Sequence, residues 1–229
     1  MKKTVVILQS NYIPWKGYFD LINIADEFIF LDDVQYTVRD WRNRNRIKTE
    51  TGLKWLTIPI GNKRDKDINK VYFSDDRWKH KHLQQLKLSY MQAPYFRDTM
   101  DLIDDIYKNP TNSLSEFNQF AIAKIAAGLG IKTEFKDSST FHAKGKSTER
   151  LIDILIKTGA THYLSGPAGR GYINSTLFEK AGIELEYFDY SGYLEYPQLF
   201  PPFVHEVTIL DLIFNTGPKA IQYFKSFKP

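Results

Sequence analysis

The chain has 229 residues and a formal net charge of +4, with 25% charged residues; that suits one large globular domain and an anionic ligand as well as nucleic acid. It has no cysteine, which excludes disulfides, thiolate metal sites and a cysteine nucleophile. No apolar run approaches a membrane span. The run Val5–Leu8 behind Lys2 and Lys3 is too short for a signal peptide and no small-residue cleavage site follows, so a cytoplasmic protein without membrane insertion is expected.

In chain order, Thr4–Leu8 is β-branched and apolar, the pattern of a buried parallel strand. Gln9–Pro14 breaks it with turn residues. Trp15–Ala25 then places Tyr18, Phe19, Leu21, Ile22 and Ala25 at helical spacing. Phe28–Leu31 is a second strand ending at Asp32 and Asp33, and Trp55–Ile60 a third. Arg77–Met91, Tyr95–Tyr107 and Ser113–Leu129 read as helices. For the last, Ser113 is the N-cap, Glu116 completes a capping box and Gly130 is the stop. Strands at Lys132–Phe135, His162–Ser165 and Glu184–Phe188 alternate with helices at Ser147–Lys157 and Ser175–Ala181. Val207–Phe214 and Pro218–Phe227 close the chain as helices. Such alternation predicts an α/β fold: a Rossmann-like parallel sheet flanked by helices, in a single domain with a largely helical insertion around 75–130.

Three segments offer chemistry. The first is the strand-to-helix turn from Gln9 to Tyr18, where open α/β sheets bind ligands. Gln9 and Asn11 offer amides and Gly17 permits close approach; an amide-capped turn is the plainer alternative. The second runs from Asp32 to Lys48. Asp32 and Asp33 are paired carboxylates, able to share a proton or hold a metal. Gln35, Tyr36, Arg39, Trp41, Arg42, Asn43 and Arg44 follow. Arginine forks suit phosphate and the rings suit a base or sugar, although a solvated charge run has the same composition. The alternation through Arg46 to Lys48 suits a strand with its basic residues on one face. The nearby acids make nucleic acid a poor fit, since they repel its backbone. The third is the glycine-rich turn Ser165, Gly166, Gly169 and Arg170, able to present backbone N–H groups to an anion. It matches neither a Walker loop nor G-x-G-x-x-G.

Among the histidines, His80 and His82 point to different sides of a helix, and no ligand spacing predicts a bound metal. His205, following Tyr196 and Gln198, is the best candidate for a general base or acid.

The stretches ILQSNYIPWKGYFDLI, FIFLDDVQYTVRDWRNRNRIKT, WLTIPI, YLSGPAGRGYI, GIELEYFDYSGYLEYPQLF and VTILDLIFNTGP closely resemble the WbqC-like family, over nearly the whole chain. That resemblance implies a setting in polysaccharide and O-antigen gene clusters, beside enzymes that make nucleotide-linked deoxyamino sugars. More distantly, Trp15-Lys-Gly17-Tyr18 resembles the H-x-G-H helix start of nucleotidylyltransferases and pantothenate synthetases, with Trp15 and Tyr18 where their phosphate-stabilising histidines stand.

Together these readings lead to a transferase acting on a nucleotide-linked amino sugar by acyl or aminoacyl transfer to the sugar amine, in surface polysaccharide assembly. Asp32, Asp33 and His205 are the expected catalytic residues. Gln9, Asn11, Trp15, Tyr18, Gln35, Tyr36, Arg39, Trp41, Arg42, Asn43, Arg44, Ser165, Gly166, Gly169, Arg170, Tyr196 and Gln198 are the expected substrate contacts. No tightly bound cofactor is expected, and the acyl donor and oligomeric state stay open. The alternatives are a non-catalytic nucleotide-sugar-binding module and an ATP-dependent ligase or RNA-dependent enzyme.

Overall fold

The computed structural model describes residues 2–61 and 66–227. Five strands, β1 (Thr4–Leu8), β2 (Glu27–Phe30), β5 (Glu134–Asp137), β6 (His162–Ser165) and β7 (Glu184–Tyr187), form one parallel sheet in the order β5-β2-β1-β6-β7. The chain walks outward from β1 to β2 and β5. It then returns to lay β6 and β7 on the other side, so the direction reverses between β1 and β6. This is a Rossmann-like sheet, and its reversal point is where such folds open a crevice.

Both faces of the sheet are covered. Val6, Phe28 and Phe30 pack into one core with α1 (Lys16–Ile24), α4 (Leu114–Gly128) and α7 (Ile209–Thr216). Val5, Ile7 and Ile29 pack into a second core with α5 (Ser147–Thr158) and α6 (Ser175–Ala181). Alternate side chains of a strand point to opposite faces, so two buried faces require the unbroken apolar run seen in β1. A fully buried Phe28 alone contributes about 1.5–3 kcal/mol.

Between β2 and β5 the chain inserts an antiparallel hairpin, β3 (Arg44–Thr49) with β4 (Gly52–Thr57), then α2 (Arg77–Tyr90) and α3 (Phe96–Tyr107) before α4 crosses back. The strand expected at Trp55–Ile60 is therefore shifted to β4 and lies outside the main sheet. Its outward side chains Leu53 and Trp55 are exposed, which an edge hairpin tolerates and a two-sided sheet does not. The strand expected at Lys132–Phe135 begins two residues later. The turn after α4 consumes the difference: Gly130 has φ 76° and Ile131 donates back to Ala126. The helix expected over Pro218–Phe227 is a 3-10 run, Gly217–Tyr223. Ser113 caps α4 by accepting from the Glu116 N–H, but Glu116 bonds Thr111 and not Ser113, so half of the capping box forms.

Candidate functional site

The site lies at the carboxyl ends of β1, β2 and β6 and is centred on Arg42. Its guanidinium donates from Nη1 to Asn11 Oδ1 and from Nη2 to Gln9 Oε1. The nearest carboxylate, Asp40, stands 3.6 Å away, and Nε is buried without a protein partner among the described residues. The side chain is only 11% exposed. A desolvated cation is ordinarily matched by a carboxylate. Two neutral amides hold the fork while Asp40 offsets part of its charge, so protein carboxylate matches the guanidinium only in part.

The local fold aims this residue. Tyr12 N–H donates to the Trp41 carbonyl, and Asn118 Nδ2 on α4 donates to the Arg42 carbonyl at 2.8 Å. Asn45 Nδ2 binds the carbonyls of Tyr12 and Ile13, so the β1–α1 turn and the start of β3 are tied together. Tyr18 is buried and donates to the Gln9 carbonyl at 3.0 Å, which spends its hydroxyl on the turn.

The two predicted catalytic carboxylates play other parts. Asp32 is fully buried; it accepts from Ser10 N–H at 2.8 Å, from Ser115 Oγ and from Gln119 Nε2 at 3.1 Å. It joins the ends of β1, β2 and α4 as a strut with its acceptor sites filled. Asp33 is ion-paired with Arg150 on α5 and accepts from Ser138 Oγ. Gln119 also donates to Asp137 at 2.9 Å, completing a polar floor under the crevice. Among the described residues, no three His, Asp or Glu side chains converge to hold a metal ion.

Across the reversal point, Pro167–Gly171 forms a 3-10 turn after β6, with Gly166 preceding it. A Cβ on Gly169 would lie 2.3 Å from Ser165 Oγ and 2.8 Å from Ile173 Cδ1, so a larger residue there would force both side chains to move. Ser165 Oγ contacts the Gly166 carbonyl, and Arg170 stacks 4.3 Å over the Tyr187 ring. Desolvation and Tyr187 raise the Tyr172 pKa while Arg42 opposes them, so Tyr172 lies in the field of Arg42.

Beside the Arg42 seat opens a cleft of about 240 Å³ lined by Asn11, Trp15, Trp41, Asn45 and Glu206. Trp41 and Trp55 pack with ring centroids 5.5 Å apart, with Arg44 stacked 4.4 Å from Trp55 and Arg46 5.6 Å from both rings. Arg39 and Gln35 are exposed outside this cluster, and the Arg39 carbonyl accepts from Arg44. Tyr36 and Asn43 are buried against each other at 2.9 Å. Desolvation and Asp40 push the Tyr36 pKa up to about 12, against the pull of Arg42 and Arg44.

The segment from Tyr193 to Glu206 straps over the start of α1. Tyr196 and Gln198 both donate to the buried carboxyl of Asp211, so their polar ends turn inward and away from the cleft. Lys16 Nζ is buried under the strap. It donates to the Leu194 carbonyl at 2.9 Å and lies 5.0 Å from the rings of Tyr193 and Tyr196. Burial lowers its pKa to about 8, with Asp20, Asp211 and Glu195 pulling the other way. His205 packs edge-on against Phe203, beside Glu206 of the cleft. Desolvation and Lys16 lower its pKa, against Glu195 and Glu206, so its imidazole stays neutral near pH 7. Its Nδ1 has no protein partner among the described residues.

The structure thus gathers Gln9, Asn11, Arg42, Ser165 and Gly166 around the crevice, with Trp15, Trp41 and His205 at its flank. Sequence reasoning missed Gln119, Arg150, Tyr172 and Glu206. Tyr172 and Glu206 adjoin residues already singled out, Arg170 and His205; Gln119 and Arg150 come from elements distant in sequence.

A family model described as the WbqC-like protein family matches residues 9–223. An uncharacterized protein of Mycobacterium tuberculosis is 42% identical over 226 residues, covering 97% of this chain and 98% of that protein. No solved structure matches.

Proposed function

The chain belongs to the WbqC-like protein family, and from that premise we propose that it is a transferase that binds a nucleotide-linked amino sugar and directs an acyl or aminoacyl group to the sugar amine. The observation that carries the reading is Arg42: a desolvated guanidinium held by the neutral amides of Gln9 and Asn11 at the reversal point of a parallel sheet. Such a fork suits a phosphate or diphosphate, and the glycine turn at Gly166 offers backbone N–H groups across from it. Acyl transfer requires an amine freed of its proton. His205, neutral and beside the cleft, suits that step better than Asp32 or Asp33, whose oxygens are already engaged.

Calorimetric titration with UDP- and dTDP-linked amino sugars, and with ATP and magnesium, tests this reading. Micromolar binding of a nucleotide sugar that is lost in Arg42→Ala supports it. Binding of ATP alone redirects the chemistry to adenylate formation, and binding of neither ligand sinks the anion seat. The engaged state of both aspartates favours a second reading, a binding module without turnover. Binding with no acylated product against any activated donor would select it.

A further inference from the structure

Two chemically unlike groups line the cleft beside the Arg42 seat. Asn11 accepts from Arg42 on its Oδ1. Glu206 has a side chain 69% exposed. Its one charged contact among the described residues is Arg46 at 3.9 Å, too long for a hydrogen bond. Such exposed pairs contribute little and exchange readily. Asn45 also lines the cleft but is spent: its Nδ2 binds the Tyr12 and Ile13 carbonyls and its Oδ1 accepts from the Arg46 N–H. The polar groups left to the cleft therefore reduce to the Asn11 amide, which adjoins Arg42, and the Glu206 carboxylate, beside the indoles of Trp15 and Trp41.

Size narrows the occupant. At about 240 Å³ the cleft falls below the roughly 300–1,000 Å³ of sites for drug-sized ligands. It has room for one ring, not for a whole nucleotide sugar. A uracil or thymine would offer a carboxylate only its N3–H, flanked by two carbonyl oxygens that the carboxylate repels. A saturated ring can lie against an indole and turn an ammonium to Glu206.

We infer that this cleft is the sugar subsite and takes a single ring bearing a phosphate and an amine, with the phosphate toward Arg42 and the amine on Glu206. The inference rests on the anion-seat reading above and adds the substrate class and the direction in which it lies. Glu206 is then the specificity-determining residue, and the amine is held on the same strap as His205.

Titration calorimetry with glucosamine 1-phosphate, glucose 1-phosphate and GMP tests it on the wild-type chain, Glu206→Gln and Arg42→Ala. Glucosamine 1-phosphate should bind about two- to fivefold tighter than glucose 1-phosphate, the scale of an exposed ion pair. Glu206→Gln should erase that preference and leave glucose 1-phosphate unchanged, while Arg42→Ala should weaken both. Equal affinity for the two sugar phosphates, a preference that survives Glu206→Gln, or tighter binding of GMP than of glucosamine 1-phosphate would overturn the assignment. Sugar phosphates that bind through Arg42 without regard to the amine would remove this inference alone. If none binds, the anion seat falls and the inference with it.

Discussion

Asp32→Asn separates a strut from a catalytic base. The carboxyl group accepts three protein donors: Ser10 N–H on one oxygen, Ser115 Oγ and Gln119 Nε2 on the other. An asparagine must put its NH2 group against one of these two sets. Toward Ser10 it faces a backbone N–H that cannot turn round. Toward α4 it faces Gln119, whose amide can flip only by giving up Asp137. The site is fully buried, so water does not make good the loss. One lost bond to a charged group and one stranded donor amount to about 2–4 kcal/mol. For a chain of this length that is a fall in Tm of roughly 5–15 °C, at about 2–4 °C per kcal/mol. Urea and thermal unfolding followed by circular dichroism would read it. Ligand affinity, measured well below the new Tm, should stay within about threefold of wild type, since Asp32 faces no open space. A variant with unchanged Tm but no ligand binding or turnover would refute the reasoning and return Asp32 to the chemistry.

Other outcomes follow from buried ionisable groups. Burial holds the pKa of His82 down to about 4, and its Nδ1 pairs with Tyr12 Oη at 2.8 Å. The unfolded chain takes up that proton as pH falls through about 6.5 and the folded chain only near 4. The contribution is therefore full above 6.5 and lost progressively below it, on the order of 3 kcal/mol in all. Urea midpoints measured from pH 7 to 4 should fall less steeply in His82→Gln; parallel curves would contradict this. Lys16→Met removes the cation that helps to lower the His205 pKa, leaving Glu195 and Glu206 to act on it. The His205 resonance followed by NMR titration should then shift to higher pH, and an unmoved titration would show that Lys16 does not act on it. Stability should hold or rise in this variant, because a buried lysine without a close carboxylate gives way to a side chain of similar volume.

Much of the fold is legible in the chain because its signals are local. The run Thr4–Leu8 is buried on both faces of the sheet, and its composition says so without any partner being known. The helices between Arg77 and Gly128 announce themselves by period, and Gly159 stops α5 with φ 68°. The motifs Gln9–Tyr18 and Ser165–Arg170 also stand where strand-to-helix turns stand in parallel sheets, so two edges of the crevice could be placed in advance. The Asp32–Lys48 stretch reads from the chain as paired carboxylates, phosphate-binding arginines and stacking rings. In the fold its members divide into a buried strut, an ion pair, a stacked arginine platform and a guanidinium shared between two amides and Asp40.

That division is tertiary. Arg42 is held mainly by Gln9 and Asn11, more than thirty residues earlier, through oxygens that carry no net charge, with Asp40 3.6 Å away. Asp32 is closed to substrate because Ser115 and Gln119 arrive from α4. Tyr196 and Gln198 look inward because Asp211 waits beneath the strap, and Glu206 reaches the cleft because the same strap brings it there. The sequence by itself determined most of the elements, the parallel sheet and the two strand-to-helix turns, since periodicity and turn chemistry act over a few residues. The structure decided which polar groups are spent and which are free, since that depends on partners brought together only when the chain folds.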